Sequence, residues 1–158
     1  MCRMSPSKLG PIPSASSVNV REVMVANRGR DTGPELVLRK ALREAGVGGY
    51  RVDYRIGRKR VDISYVSSKV TVLVHGCFWH NCPSCNLPIP KSHSAYWKRK
   101  FSINRLRDEE TSRQLRDGGW TVVEIWEHEL TASVPRCLAR VVGVLRAMSE
   151  KTRVRQKA

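Results

Sequence analysis

The sequence has little negative charge and no long apolar run. Only 14 residues are acidic against 29 that are basic, so the formal net charge is +15. Such an excess of positive charge is typical of proteins that bind a phosphate backbone or an anionic membrane. No run of apolar residues approaches membrane-spanning length, and the first residues lack the apolar core of a signal peptide. We therefore expect a cytoplasmic, nucleoid-associated protein with a nucleic-acid partner and no membrane partner.

Internal repeats are also absent, which argues against a solenoid or propeller. The chain has 158 residues, of which 41% are hydrophobic, enough for one folded domain with a core. A serine- and proline-rich start predicts a disordered tail over residues 1–18. We expect the domain itself over residues 19–149, a frayed basic tail over residues 150–158, and a monomer.

Hydrophobic periodicity and turn residues predict an alternation of helices and strands. Helices are expected over residues 20–26, 33–46, 96–117 and 134–148. Strands are expected over residues 50–56, 61–66, 70–74 and 120–126, the first two antiparallel. A long loop over residues 76–95 has no periodicity, and such loops in compact domains are usually functional or held by a metal. The order of elements predicts an α/β fold, with a mixed central sheet covered by helices on both faces.

Cysteine and histidine are concentrated directly after the third predicted strand. The cysteines of this stretch are Cys77, Cys82 and Cys85, and the histidines are His75 and His80. Cysteines mixed with histidine fit a metal site in a reducing compartment better than disulfides. Zinc prefers four sulfur or nitrogen donors in a tetrahedron, so the three thiolates predict a structural Zn²⁺ with one further donor. The alternative is three unbound thiols, which would leave the long loop without a means of ordering it.

The fourth zinc ligand must come from elsewhere in the chain. His128 follows the strand that ends at residue 126, and neighbouring strands bring their ends together, so it is the preferred candidate. Cys137, His93 and Cys2 are the other options, although Cys137 also fits a small core residue.

Three further groups are candidates for acid–base or metal chemistry. Asp62 lies inside a predicted strand directly after a basic turn. A lone aspartate in a strand is more often structural, but beside a basic turn and a following strand Asp62 resembles a nuclease aspartate that binds Mg²⁺. At least one of His75 and His80 remains free of zinc, and histidine titrates near neutral pH. Asp108 lies on the charged helix, where its spacing by itself favours a solvated face.

Taken together, these motifs resemble the very-short-patch-repair (Vsr) DNA mismatch endonucleases. The residues that carry the resemblance are Arg30-Asp31-Thr32, Pro34-Glu35, Val61-Asp62, His75-Gly76-Cys77-Phe78-Trp79-His80, Tyr96-Trp97, Asn104 through Asp108, Gly119-Trp120 and Val123 through Glu127. The family has a restriction-endonuclease-like core of the PD-(D/E)xK type. With Mg²⁺, it nicks DNA on the 5′ side of the thymine in a T:G mismatch left by deaminated 5-methylcytosine. The resemblance implies that fold and activity here, with T:G-mismatched duplex DNA as partner and mismatch-repair proteins as further partners.

The resemblance also implies catalytic roles by position. Asp62 matches the Mg²⁺-binding aspartate, and Val74 would add its backbone carbonyl, although the family often has threonine there. His80 matches the histidine that activates the attacking water, and Asp108 the carboxylate that orients that histidine. Glu35, together with His75, matches polar groups beside the metal and the water.

Recognition of the mismatch is implied to rest on aromatic residues. Phe78, Trp79 and Trp97 match a wedge that enters the base stack, where apolar rings replace lost stacking as the duplex kinks. Met24 is expected to contact DNA as well. The alternative for the three aromatics is a place in the core.

The main departures from the family pattern lie at the zinc ligands. Cys82 stands where the family has histidine, Cys85 lies one residue later than usual, and His128 replaces a final cysteine, so three sulfurs and one nitrogen remain. Two other functions stay open: a nicking endonuclease of the same fold for another lesion, modified base or sequence, and a catalytically decayed zinc-stabilised DNA-binding protein.

Overall fold

The computed structural model describes residues 30–157, and side chains through residue 154. The helix predicted over residues 20–26, the tail over residues 1–18 and Met24 lie outside these residues. The elements are α1 (Gly33–Glu44), β1 (Arg51–Ile56), β2 (Lys59–Tyr65), β3 (Val70–His75), α2 (Ser94–Asp117), β4 (Thr121–Trp126), α3 (Glu127–Ala132) and α4 (Val134–Lys157). The predicted α/β order is therefore confirmed.

The four strands form one mixed sheet in the order β1-β2-β3-β4. β2 pairs antiparallel with both β1 and β3, whereas β3 and β4 are parallel. A parallel pair needs a long crossover, and the cysteine-containing loop followed by α2 supplies it. The register places His75 opposite Trp126, so β3 and β4 end side by side. Everything that follows these two strands in sequence therefore starts from the same edge of the sheet.

Side chains of the sheet alternate between two hydrophobic clusters, because successive strand residues point to opposite faces. Val72 of β3 packs in the larger cluster with α1, α3 and α4, while its neighbour Leu73 packs in the smaller one with Leu115 of α2. The fully buried members of the larger cluster are Leu38, Leu42, Ile63, Val70, Val72, Ile125 and Val141. Helices thus cover both faces of the sheet, as predicted.

Two elements differ from the sequence-based expectation. The last helix continues past Met148 to Lys157, because the segment beyond Met148 contains good helix formers and neither glycine nor proline. The short helix α3 was not predicted. It begins where Glu129 accepts a hydrogen bond from the backbone N–H of Trp126 at 2.7 Å, which caps its first turn. Within residues 30–157, no helix is both long and apolar enough to cross a membrane.

Candidate active site and metal-binding cluster

A cavity of about 340 Å³ opens where β3 and β4 end, on the side of the sheet that α2 covers. Its lining comes from both strands, from the turns after β3 and from one face of α2. The lining residues are His75, His80, Pro83, Arg105, Asp108, Glu109, Ser112, Arg116, Glu124 and Trp126. Ligand sites of α/β proteins commonly lie at the carboxyl ends of strands, so this cavity is the candidate active site.

The centre of the cavity is a histidine–carboxylate pair. His80 lies in the turns after β3, where its backbone N–H donates to the carbonyl of Gly76 at 3.1 Å. Its ring Nδ1 lies within hydrogen-bond distance of Asp108 Oδ2, on α2. An ionised carboxylate only accepts, so Nδ1 carries the proton and Nε2 keeps its lone pair. The pair therefore consists of a histidine oriented by a carboxylate, and Asp108 does not lie on a merely solvated face.

His75 lies beneath this pair and is nearly buried. Its ring centroid is 4.9 Å from that of His80 and 5.0 Å from that of Trp126. Burial lowers the pKa of His75, with the nearby His80 acting in the same direction. His75 is consequently neutral at neutral pH and acts as a packed support for the His80 ring.

Glu124 belongs to the same site, although it was not predicted from the sequence. Its carboxylate accepts hydrogen bonds from the Ser112 hydroxyl at 2.7 Å and from Arg116 at 3.0 Å. One of its oxygens is 3.8 Å from His75 Nε2. The signal that could have found it is a single carboxylate in the otherwise apolar β4, next to the end of a strand.

Asp62 lies where β2 and β3 separate. The last residue pair between these strands is Ile63 with Val72, and beyond it the Asp62 carboxylate accepts a hydrogen bond from the Val74 backbone N–H at 2.7 Å. Burial raises the pKa of Asp62 to about 6, and Glu35 adds to the rise, against the opposing effect of the Val74 hydrogen bond. The carboxylate is thus held rigidly in a place that penalises its negative charge, which is the environment a bound cation would relieve.

The ligand atoms of His75, His80 and Asp108 all lie within 4.8 Å of one another. Among the described residues, Asp62 is not part of that group, although the charge of His80 influences its pKa. The structure therefore brings three of the five predicted catalytic residues together, His75, His80 and Asp108, while Asp62 and Glu35 lie outside this group.

Glu35 forms hydrogen bonds that cap the first turn of α1. Its buried carboxylate accepts the backbone N–H of Asp31 at 3.0 Å and the hydroxyl of Thr32 at 2.7 Å, which caps the start of α1. It is also close enough to Asp62 to raise the pKa of that carboxyl. Its predicted role beside the metal and the water stays a prediction.

A second cluster joins the loop after β3 to the start of α3. The ligand atoms of Cys77, Cys82, Cys85 and His128 lie within 4.8 Å of one another. His128 Nδ1 is 3.3 Å from the Cys77 sulfur and 3.5 Å from the Cys82 sulfur. Tetrahedral zinc with its usual bond lengths separates sulfur and nitrogen ligands by about 3.6 Å. The donor set and its spacing therefore fit Zn²⁺.

The thiols of the cluster differ in their pKa: that of Cys82 is lowered, because the effect of its burial is outweighed by hydrogen bonds from the Cys85 and Ser84 backbone and from neighbouring thiols. Burial raises the pKa of Cys77 to about 12, so this thiol stays protonated until a metal replaces the proton. Among the alternative fourth ligands, Cys137 lies in the larger hydrophobic cluster and His93 is exposed at the start of α2. Cys2 lies outside the described residues. Parallel pairing of β3 with β4 explains why His128, and neither Cys137 nor His93, joins the three cysteines.

The predicted wedge residues pack together between the loop and α2. The ring of Phe78 is 5.2 Å from Trp79 and 5.4 Å from Trp97, centroid to centroid. Trp97 is only 8% exposed and also packs on Phe101, whereas Phe78 and Trp79 are half-buried. Asn104 of α2 donates to the Trp79 carbonyl at 2.7 Å. In this conformation Trp97 supports the other two rings, and these two are the ones accessible to DNA.

The chain is similar to known DNA endonucleases. Residues 17–87 match the family model described as DNA mismatch endonuclease Vsr. The chain is 37% identical over 125 residues to the type II nicking enzyme V.NaeI of Lentzea aerocolonigenes, covering 76% of this chain and 74% of that protein. It is 36% identical over 116 residues to the type II nicking enzyme V.XorIIP of Xanthomonas oryzae pv. oryzae, covering 70% and 81%. With the DNA mismatch endonuclease Vsr of Escherichia coli it shares 30% identity over 98 residues, covering 62% of each protein.

Proposed function

Because the chain belongs to the Vsr family of DNA mismatch endonucleases, and is a DNA-nicking hydrolase, we propose that its target is a T:G mismatch. It nicks one strand on the 5′ side of the mismatched thymine, with Mg²⁺, and so begins repair of deaminated 5-methylcytosine. The observation that carries the proposal is the His80–Asp108 pair, whose histidine is close enough to the largely buried carboxylate of Asp62 to affect its pKa.

His80 acts as the general base in this proposal. Asp108 accepts a hydrogen bond from Nδ1–H, which leaves Nε2 free to take a proton from the attacking water. The carboxylate also stabilises the imidazolium that forms as the proton arrives. His75 packs against the His80 ring at a tilted angle, and its own buried, neutral state avoids repulsion with that developing positive charge.

Asp62 and the Val74 backbone carbonyl are the groups that would hold Mg²⁺. Magnesium prefers oxygen ligands and commonly takes one or two carboxylates, several waters and phosphate oxygens of the substrate. The Asp62 carboxylate uses one hydrogen bond for Val74 and retains lone pairs for a cation. When bound, Mg²⁺ polarises the scissile phosphate and stabilises the charge that develops on it.

The cysteine–histidine cluster has a structural role in this proposal. Zn²⁺ held by Cys77, Cys82, Cys85 and His128 would fasten the loop to α3. A hydrogen bond from the Cys77 backbone N–H to Glu127 at 3.0 Å already ties the same two segments together. Since His80 lies between the first two cysteines in sequence, ordering this loop places the general base.

Recognition of the mismatch rests on Phe78 and Trp79. Their half-exposed rings replace base stacking when the duplex opens at the mismatch, which is the least expensive place to unstack. Trp97 supports them from α2.

A second candidate is a nick at another lesion, modified base or sequence. What favours it is that two of the relatives above, at 37% and 36% identity, are named type II nicking enzymes. The same catalytic groups would serve, and only the recognition surface would differ.

The test is a nicking assay on end-labelled duplexes that are identical except for one central pair. T:G, fully matched, and other mismatched or 5-methylcytosine-containing duplexes are compared with Mg²⁺ present or omitted. We expect one Mg²⁺-dependent nick 5′ of the thymine in the T:G duplex and none in the matched duplex. Mg²⁺ is omitted rather than chelated, because a chelator would also strip the cysteine cluster. Nicking of a different duplex supports the second candidate, and no nicking of any duplex supports a decayed DNA-binding protein.

A further inference from the structure

A second cavity, of about 260 Å³, lies next to the active-site cavity along α2. The two cavities share one lining residue, Arg105. The second cavity continues from there towards the start of α2, where Lys98 and Ser102 line it, and its opposite wall includes Asn81 from the loop after β3. A groove therefore leads from the catalytic pair along one face of the helix.

The two cavities differ in the charge of their lining. The active-site cavity is lined by carboxylates, among them Asp108 and Glu124. The second cavity is lined by two cations, Lys98 and Arg105, by a hydroxyl and an amide, and by the apolar Ile89 and Phe101; none of its described lining residues is a carboxylate. Such a lining fits an anion with several oxygen acceptors.

The two cations are also available for a ligand. Arg116, at the far side of the active-site cavity, is paired with Glu124 at 3.0 Å. By contrast, within residues 30–154 the Lys98 ammonium and the Arg105 guanidinium have no hydrogen-bond or ion-pair partner. Both side chains belong to exposed residues, and their spacing along α2 puts them on one helix face with Ser102 between them.

We propose that this second cavity binds a backbone phosphodiester of the strand that is nicked, adjacent to the scissile phosphate. Arg105 is the central residue of this phosphate subsite, because it lines both cavities and a guanidinium donates two parallel hydrogen bonds to phosphate oxygens. Lys98 adds a point charge further from the catalytic pair. The proposal rests on the proposed DNA-nicking function and adds to it a residue that positions the strand.

The first test measures how the affinity for duplex DNA depends on salt, without Mg²⁺, for the parent protein and for Arg105→Ala. Arg107→Ala is the matched control: the residue is exposed, lies two positions along the same helix and lines neither cavity. Loss of one phosphate contact lowers the salt slope by about one. Between 50 and 200 mM salt, the parent should therefore lose about 3.5-fold more affinity than Arg105→Ala. An unchanged slope for Arg105→Ala, or an equal change for Arg107→Ala, would overturn the proposal.

The second test locates the phosphate. On whichever duplex the parent protein nicks, single phosphates of the nicked strand are replaced in turn by neutral methylphosphonates. We expect the parent to lose affinity at one position beside the nick and Arg105→Ala to be insensitive at that position. Equal sensitivity of both proteins at every position would refute the subsite.

These tests separate failure of the subsite from failure of the proposed function. The salt slope is measured on matched duplex as well and needs no T:G mismatch and no cleavage. If T:G DNA proves not to be the substrate, the slope still decides the role of Arg105. If T:G DNA is nicked but the slope is unchanged, only the subsite is wrong. A melting curve confirms that each variant is folded.

Discussion

Replacing Asp62 by asparagine should abolish nicking and at the same time stabilise the protein at neutral pH. Burial raises the pKa of this carboxyl to about 6, from 3.8 for an ordinary aspartate, so the folded protein disfavours the charged form. Asparagine removes the charge but keeps an oxygen that accepts the Val74 backbone N–H. The expected gain in stability is therefore the penalty for keeping Asp62 ionised.

The size of this gain follows from the two pKa values. A difference of 6 − 3.8 = 2.2 units corresponds to at most about 3 kcal/mol at pH 8. Since the folded pKa is raised, the penalty is absent well below pH 3.8, grows as the pH rises towards 6, and is complete above it. At pH 5 the same linkage leaves a penalty of about 1.6 kcal/mol, roughly half of the full value.

The assay is urea unfolding of the parent and of Asp62→Asn at pH 8 and pH 5, without divalent cations or chelators. We expect the variant to be more stable at pH 8 and its advantage to fall by about half at pH 5. Asp62→Ala is the comparison that also removes the acceptor for Val74, so its advantage should be smaller. A variant no more stable than the parent at pH 8, or an advantage independent of pH, would refute the reasoning. Nicking at the parent's rate would refute the metal-binding role.

Four further predictions concern the other parts of the site. Asp108→Asn should lower the single-turnover nicking rate by about 10²–10⁴-fold through loss of His80 orientation, with DNA affinity retained; an unchanged rate would contradict the pair. Elemental analysis should find one zinc per chain in the freshly purified parent and less in His128→Ala, whose loop should become sensitive to protease; a zinc-free parent would contradict the cluster. Trp79→Ala should weaken T:G binding by roughly 5- to 150-fold, with a smaller effect on matched duplex. Equal weakening on both duplexes by Trp79→Ala would count against a wedge. Trp97→Ala should instead destabilise the fold by about 3–5 kcal/mol in thermal melts, because Trp97 is largely buried.

Sequence alone was sufficient wherever the determining interactions are local. The alternation of apolar residues predicted the four strands and the helices that cover them, because periodicity reports directly which face of an element is buried. The spacing of Cys77, Cys82 and Cys85 predicted that these thiols lie together, and the structure places their sulfurs within 4.8 Å of one another; the metal that they would bind stays a prediction. His128 was identified as their partner from strand order, and the parallel pairing of β3 with β4 brings it to the cluster.

The tertiary structure decided what depends on how separate elements pack. The pairing of Asp108 with His80 joins a helix to a loop, and the sequence spacing of Asp108 by itself favoured a solvated surface. Glu124 enters the site because β4 lies beside β3; the lone carboxylate in β4 marks it as unusual, but the sequence does not show which residues it meets. The burial of Trp97 beneath Phe78 is likewise a property of the packed helix and loop. Local sequence determines the conformation and buried face of each element, but contacts between residues distant in sequence form only when those elements pack together.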